Sequence, residues 1–149
     1  MVEIKVAKTA GFCFGVDRAV RLVYNEIQKG EKCVTLGPII HNKQVVNDLQ
    51  EKGVRIIEDV SEYESDERVI IRSHGVGQSI YDKLEQNGNK YIDATCPFVA
   101  RIHKIVKDKT QEGYIILIAG DSEHPEVVGI TGHGDNNCIV FKNSDELKE

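Results

Sequence analysis

Short runs of aliphatic and β-branched residues alternate along this chain with longer amphipathic stretches. This alternation is typical of parallel strands joined by crossover helices, because such strands are buried on both faces and read as continuous apolar runs. The pattern therefore predicts an α/β fold with parallel sheets. Six strands are predicted, at residues 4–7, 34–36, 69–71, 91–92, 114–118 and 139–141.

Four amphipathic stretches between these runs carry apolar residues at helical spacing. The clearest covers residues 16–27, and shorter ones lie around residues 45–49, 80–84 and 102–106. Three glycines stand where helices should end, in the left-handed conformation that glycine adopts most easily. They are Gly30, Gly53 and Gly88.

The composition fits one ordinary domain or two small ones, with 149 residues of which 40% are hydrophobic. A net charge of -5, without a basic stripe, argues against a nucleic-acid partner. No apolar run approaches the roughly 20 residues that cross a bilayer. Charged residues such as Glu3 and Lys5 stand where a signal peptide would be apolar. These features predict a cytoplasmic protein with no membrane partner.

The chain has four cysteines, at positions 13, 33, 96 and 138. Disulfides are rare in a reducing cytoplasm, and no Cys-x-x-Cys pair supports a zinc ribbon or a thioredoxin-type site. Any metal site must therefore combine distant segments of the chain.

Reactive residues gather where predicted strands give way to helices, which is where open α/β sheets bind ligands. Successive junctions carry a thiol or an imidazole, namely Cys13, His41, His74, Cys96 and His124. This order resembles a degenerate repeat and predicts two similar small domains that face a common centre. We place the first domain at residues 1–94 and the second, possibly incomplete, at residues 95–149.

Cys13 and Cys96 share one setting, at the amino end of a predicted helix. Helix amides and the helix dipole there stabilise a thiolate, which is the form that binds metal. A single cysteine is more often a small buried hydrophobe, but two in matching positions favour metal ligands. Cys33 and Cys138 each open a strand, where a packing role is favoured.

His41, His74 and His124 lie in loops that contain glycine or proline rather than on apolar helix faces. Together they would form a cationic pocket for a phosphate or diphosphate, because imidazolium and loop amides bind multiply charged anions. His103, inside a predicted helix, is expected to be a surface or packing residue. His133 follows a short helix that it could cap.

Glu126 stands just inside a predicted helix start and precedes an apolar run. Half burial there would favour its protonated form, so that it could deliver a proton. Acidic residues are also common in the first turn of any helix, and spacing alone leaves both readings open.

Five segments in this order resemble the signatures of the 4-hydroxy-3-methylbut-2-enyl diphosphate reductase family, also called LytB or IspH. The resemblance runs from about residue 3 to about residue 134. The segments are GFCFGVDRA at residues 11–19, HN at 41–42, RSHGV at 72–76, DATCP at 93–97 and HPEV at 124–127.

This resemblance implies a trefoil of three α/β domains around a 4Fe-4S cluster, to which each domain gives one cysteine. Cys13 and Cys96 would be two of the three ligands, which leaves one iron open to substrate. His41, His74 and His124 would bind the substrate diphosphate. Glu126, with His124, would be the catalytic pair that protonates the departing hydroxyl.

The reaction implied is reductive dehydroxylation of the allylic diphosphate to isopentenyl and dimethylallyl diphosphates, the last step of the non-mevalonate pathway. It needs an external electron donor such as ferredoxin or flavodoxin. Members of the family continue well beyond 149 residues, and the third domain with the third cysteine ligand is missing here. The chain alone is therefore expected to fold but to be inactive.

Two other functions are compatible with the same loops. A non-catalytic diphosphate- or nucleotide-binding module would use the histidine loops without a cluster. A zinc hydrolase would use the three histidines with Glu126. Neither function needs the paired cysteines at helix starts.

Overall fold

The computed structural model describes residues 2–148. The first predicted domain begins at residue 1 and the second ends at residue 149, and these two residues lie outside the described range. The described chain forms two parallel sheets with helices between the strands, which confirms the α/β class. The helices are α1 Phe14–Gln28, α2 Lys43–Glu51, α3 Gln78–Gln86, α4 Pro97–Gln111 and α5 Pro125–Thr131. The strands are β1 Lys32–Leu36, β2 Arg55–Ile57, β3 Glu67–Ile71, β4 Tyr91–Asp93, β5 Ile116–Ala119 and β6 Cys138–Phe141. Single turns of 3-10 helix cover Val60–Glu62 and Glu146–Lys148.

The larger sheet has the strand order β2-β1-β3-β4, and every pairing in it is parallel. Its two central strands, β1 and β3, are in register from Lys32 opposite Glu67 to Leu36 opposite Ile71. Strands β5 and β6 form a separate two-stranded parallel sheet. The predicted boundary near residue 94 falls between the two sheets in the chain, and the division into domains remains a prediction.

The core lies on both faces of the larger sheet, which explains why most positions in the second half of its central strands are apolar. One face packs against α1 and α2, through residues such as Val23 and Leu49. The other face packs against α3, where Leu84 is fully buried. Burial of one such side chain contributes roughly 1.5–3 kcal/mol.

The strand predicted at residues 4–7 is wrong, because residues 2–13 contain no strand. Val2, Ile4 and Val6 are 92%, 86% and 80% exposed. An apolar segment becomes a strand only where a neighbouring strand accepts its hydrogen bonds, and no strand of residues 2–148 does so.

Strand β2 was not predicted, because three residues that begin with an arginine give too weak a pattern. The start predicted for β5 at residue 114 was two residues early, since the strand begins at Ile116. The helix ends were predicted correctly: Gly30, Gly53 and Gly88 have φ angles of 78°, 90° and 66°, in the left-handed region. Within residues 2–148, none of the helices has the length and apolar character that crossing a membrane requires.

Candidate functional site

Four of the five junction residues follow parallel strands and precede helices. His41 follows β1, His74 follows β3, Cys96 follows β4, and His124 follows β5. Since parallel strands end at the same edge of a sheet, the residues that follow β1, β3 and β4 are brought to one side of the molecule. Cys13 reaches the same region from the start of α1.

Three imidazoles from three different loops meet in space. The ring centroids are 4.3 Å apart for His41 and His74, 5.8 Å for His41 and His124, and 6.2 Å for His74 and His124. The first two loops are tied together, because the Ser73 amide donates a 3.1 Å hydrogen bond to the Ile39 carbonyl. The fold thus gathers residues that are far apart in sequence into one cluster, the histidine cluster of His41, His74 and His124.

His124 also caps α5. Its Nδ1 accepts a 3.2 Å hydrogen bond from the Glu126 amide, and Pro125 occupies the first helical position. A nitrogen that accepts cannot carry the ring proton, so a neutral His124 has its proton on Nε2. The cap therefore leaves Nε2–H as a donor for a ligand.

His74 is the most buried ring of the histidine cluster, and its Nδ1 is buried with no hydrogen-bond partner. Burial lowers the pKa of His74 to about 4, and the nearby His41, Arg72 and His124 add to the effect. Burial therefore disfavours the imidazolium form of this ring. Its orphaned nitrogen is a feature that a bound polar group would satisfy.

The two candidate cysteines stand directly before helices. Cys13 is the exposed residue before α1, and Cys96 is the half-buried residue before α4. A Cβ added at Gly15 would overlap the Cys96 sulfur, so this sulfur rests against the first turn of α1. Gly15 is only two residues from Cys13. Both thiols are thus held at the start of α1.

Two links fix the loop that carries Cys96. The Cys96 amide donates a 2.9 Å hydrogen bond to the carbonyl of Ser73, the neighbour of His74. Arg18 in α1 donates to the carbonyls of Thr95, at 3.1 Å, and Asp93, at 3.3 Å. Sequence reasoning did not single out Arg18, although it lies in the GFCFGVDRA segment.

A cavity of about 260 Å³ lies between the segment around Cys13 and two rings of the histidine cluster. It joins the aromatic ring beside Cys13 to two imidazoles of the histidine cluster. Its lining consists of Phe12, Val16, Ile40, His41, Asn42, Ser73 and His74. A ligand in this space would lie beside His41 and His74 and next to the segment that carries Cys13.

Among residues 2–148, no three His, Cys, Asp or Glu side chains are grouped closely enough to hold a metal ion. Cys33 is buried, and burial raises the pKa of its thiol to about 11. Burial likewise raises the pKa of Cys138. Neutral thiols at these two positions are consistent with the packing role expected for them.

A second pair of histidines lies beneath the His74 loop. His103 is buried and stacks on His133 at a centroid distance of 4.4 Å. His133 was expected as a possible cap of α5. Its ring instead donates a 3.0 Å hydrogen bond from Nε2 to the Val76 carbonyl. The His103 ring packs against Gly75, where an added Cβ would lie 2.5 Å from the ring. The packing role expected of His103 is confirmed.

Fold and site together define a parallel α/β protein whose candidate ligand site is built from loops at the ends of strands. Over residues 4–149 the sequence matches the family described as LytB protein. The chain belongs to the LytB family.

Two similar proteins carry the same name. A 4-hydroxy-3-methylbut-2-enyl diphosphate reductase of Clostridioides difficile (strain 630) is 42% identical over 148 residues, which are 99% of this chain and 53% of that protein. The reductase of the same name from Caldanaerobacter subterraneus subsp. tengcongensis is 46% identical over 151 residues, 99% of this chain and 52% of that protein. The chain thus spans about half the length of these relatives.

Solved structures agree with the sequence comparison. The E-1-hydroxy-2-methyl-but-2-enyl-4-diphosphate reductase of Plasmodium falciparum superposes with a TM-score of 0.90 at 28% identity, over 95% of this chain and 45% of that one. A structure described as (E)-4-hydroxy-3-methyl-but-2-enyl diphosphate reductase, the terminal enzyme of the non-mevalonate pathway, gives a TM-score of 0.81 at 42% identity. It covers 99% of this chain and 53% of that one.

Proposed function

We propose that this chain provides the diphosphate-binding half of a 4-hydroxy-3-methylbut-2-enyl diphosphate reductase. The observation that carries the proposal is the convergence of three imidazoles, with centroids 4.3 to 6.2 Å apart, beside a cavity that reaches the Cys13 segment. Several ring N–H groups aimed at one volume suit an anion with several oxygens. The names of the similar reductases support a diphosphate as that anion.

In this proposal the histidine cluster binds the diphosphate through ring N–H groups. His124 offers Nε2–H because its Nδ1 is occupied by the Glu126 amide. His74 has a buried Nδ1 without a partner, which a diphosphate oxygen would satisfy when that nitrogen carries the proton. The negative charge of the ligand would also raise the pKa of His74 again, so that binding takes up a proton.

Glu126 is the proposed proton donor to the departing hydroxyl. It lies in the first turn of α5, two residues after His124, and its side chain is half-buried. Because the His124 ring accepts from the Glu126 amide, the anion-binding ring and the proton donor are held in one rigid turn. A shift of this turn would therefore disturb binding and proton delivery together.

The residues present fit part of an iron–sulfur site. Cys13 and Cys96 are free thiols at two helix starts, and the missing Cβ of Gly15 leaves the space that the Cys96 sulfur occupies. They would hold two corners of a 4Fe-4S cluster, and a third ligand would come from outside residues 2–148. When bound, the cluster supplies electrons for the reduction, which it receives from a donor such as ferredoxin or flavodoxin.

A chimaera tests the proposal. Residues 1–149 are joined to the second half of the Clostridioides difficile reductase, reconstituted anaerobically with iron and sulfide, and assayed for reduction of the diphosphate with a strong reductant. We expect turnover from the chimaera and none from residues 1–149 alone. Changing Cys13 or Cys96 to Ser should abolish cluster absorbance, whereas Cys33→Ser and Cys138→Ser should retain it. Glu126→Gln should retain the cluster and lose turnover.

The other functions predict different results. A binding module would bind the diphosphate with neither iron nor acid-labile sulfide after anaerobic purification. A zinc hydrolase would contain equimolar zinc, survive in air and release phosphate. An inactive chimaera that is folded and fully loaded with cluster would reject the proposed reaction.

A further inference from the structure

His103 lies where three elements that carry residues of the candidate site meet. Its own helix, α4, begins directly after Cys96. One edge of the ring faces Gly75, the residue after His74, where an added Cβ would lie 2.5 Å from Cε1 and 3.3 Å from Nδ1. The next ring atom, Nε2, would lie 3.3 Å from a Cβ added at Gly129 of α5. The ring therefore packs between the His74 loop and α5.

The backbone on both sides of this ring leaves no room for a larger residue. Gly75 has a φ angle of 73°, in the left-handed region, and an added Cβ there would also lie 3.0 Å from the Thr95 methyl group. A Cβ at Gly129 would lie 3.4 Å from the His74 carbonyl oxygen. The His103 ring thus determines how closely the His74 loop approaches α4 and α5.

A second ring keeps His103 in this place. His133 stacks on it with a centroid distance of 4.4 Å and an interplanar angle of 28°. His133 Nε2 also donates a 3.0 Å hydrogen bond to the carbonyl of Val76, the second residue after His74. The two rings therefore hold the His74 loop at successive residues, Gly75 through packing and Val76 through the hydrogen bond.

Stability alone does not explain a histidine at position 103. The side chain is 5% exposed, and its Nε2 is buried with no hydrogen-bond partner among residues 2–148. A buried polar atom without a partner destabilises the folded state, and an aliphatic side chain would fill the space without this cost. An imidazole differs from an aliphatic chain in being flat and rigid, so it fixes the distance between α4 and the backbone that it contacts.

We infer that His103 is a positioning residue, which holds the His74 loop so that the His74 ring stays in the histidine cluster. The inference rests on the proposed function, because it concerns a ring that would bind the diphosphate. Hydrogen bonds weaken steeply when the donor is displaced or misaligned, so a loosened His74 loop would weaken the contact with the anion. His103 would thus affect ligand binding through His74 and not by contact with the ligand.

The test measures binding of inorganic pyrophosphate to the chain by isothermal titration calorimetry at pH 7. His103→Leu fills the buried space but lacks the ring edge that faces Gly75, and it should weaken binding by about tenfold. The matched control is Val106→Ala, which truncates another buried side chain of α4, one that lies beside Gly134. This control should lower the stability of the chain but change the affinity by less than about twofold.

A double-mutant cycle distinguishes positioning from a general loosening of the fold. His74→Asn removes the ring that His103 holds, so adding His103→Leu to it should cause little further loss of affinity. A residue that acts independently of His74 would weaken binding by the same factor in both backgrounds. If His103→Leu does not fold, His103→Met takes its place, because methionine is flexible and adapts to irregular buried spaces.

Nuclear magnetic resonance provides a second measurement that does not depend on a ligand. The His41 and His74 rings, whose centroids are 4.3 Å apart, are close enough for a nuclear Overhauser effect between their ring protons. This signal should be much weaker in His103→Leu than in the parent chain. It should be unchanged in Val106→Ala.

The outcomes separate this inference from the proposed function. If His74→Asn weakens pyrophosphate binding while His103→Leu behaves like Val106→Ala, the role of His103 is refuted and the histidine site stands. If the unchanged chain does not bind pyrophosphate, the proposed function fails, and the ring contact in His103→Leu alone decides whether His103 positions His74. Equal losses of affinity from His103→Leu with and without the His74 ring would identify His103 as a structural residue and overturn the inference.

Discussion

Mild acid should destabilise this chain through His103. The ring is buried against Gly75 and stacks on His133. Burial, with a contribution from the charge of His133, lowers its pKa from 6.5 to about 4. The unfolded chain binds a proton at this position below pH 6.5, and the folded chain does so only near pH 4. Stability is therefore fully present above pH 6.5 and decreases as the pH falls.

The size of the effect follows from proton linkage. With a pKa of about 4 folded and 6.5 unfolded, His103 alone should lower the free energy of unfolding by about 2 kcal/mol between pH 7 and pH 5, and by about 3 kcal/mol at pH 4. The range from pH 7 to pH 5 is the informative one, because carboxylates with lowered pKa values, such as Asp48 and Glu67, stay ionised there.

Urea unfolding followed by circular dichroism at pH 7, 6 and 5 measures this loss. His103→Leu removes the titrating group, so the variant should lose about 2 kcal/mol less than the parent chain over this range. His74 and His133 also have lowered pKa values and account for a remaining loss in both proteins. Equal losses in parent and variant would refute the claim that His103 is kept neutral by burial.

Three further predictions concern the site and the core. Pyrophosphate should bind more tightly to the chain as the pH falls from 7 to 5, and binding should take up fewer protons in His74→Asn than in the parent. Calorimetry in buffers of different ionisation enthalpy measures this proton uptake, and equal uptake in both proteins would contradict the role of His74. Gly15→Ala should displace Cys96, cost about 1–3 kcal/mol in urea unfolding and speed thiol modification at Cys96; an unchanged rate would be contrary evidence. Leu84→Ala should cost about 2–5 kcal/mol, and a loss below about 1 kcal/mol would show that α3 is not part of the core.

The parts of the fold that depend on local pattern could be predicted from the sequence. Residues 34–36 and 69–71 are aliphatic or β-branched because both faces of β1 and β3 are covered. The glycines that end helices could be predicted because their left-handed conformation excludes most other residues. Strand β2 was missed because its pairing with β1, rather than its own composition, makes it a strand.

The candidate site was predictable as a set of residues but not as an arrangement. Position at strand-to-helix junctions pointed to His41, His74 and His124, yet nothing in the sequence gives the distances between their rings. The lowered pKa of His74 follows from burial and from the charges of His41 and His124, which are distant from it in sequence. Charge and protonation depend on tertiary contacts, which no single loop encodes.

The segment at residues 4–7 shows what separates an apolar pattern from a strand. Its alternation is correct for a strand with one buried face, but a strand also needs a neighbour for its backbone groups. Apolar exposure recurs in the smaller sheet, where Leu117 of β5 and Ile139 of β6 are 54% and 48% exposed. Contacts within residues 2–148 therefore do not bury every apolar surface that the sequence encodes. Periodicity identifies residues suited to burial, and only the partner surface determines whether they form regular structure.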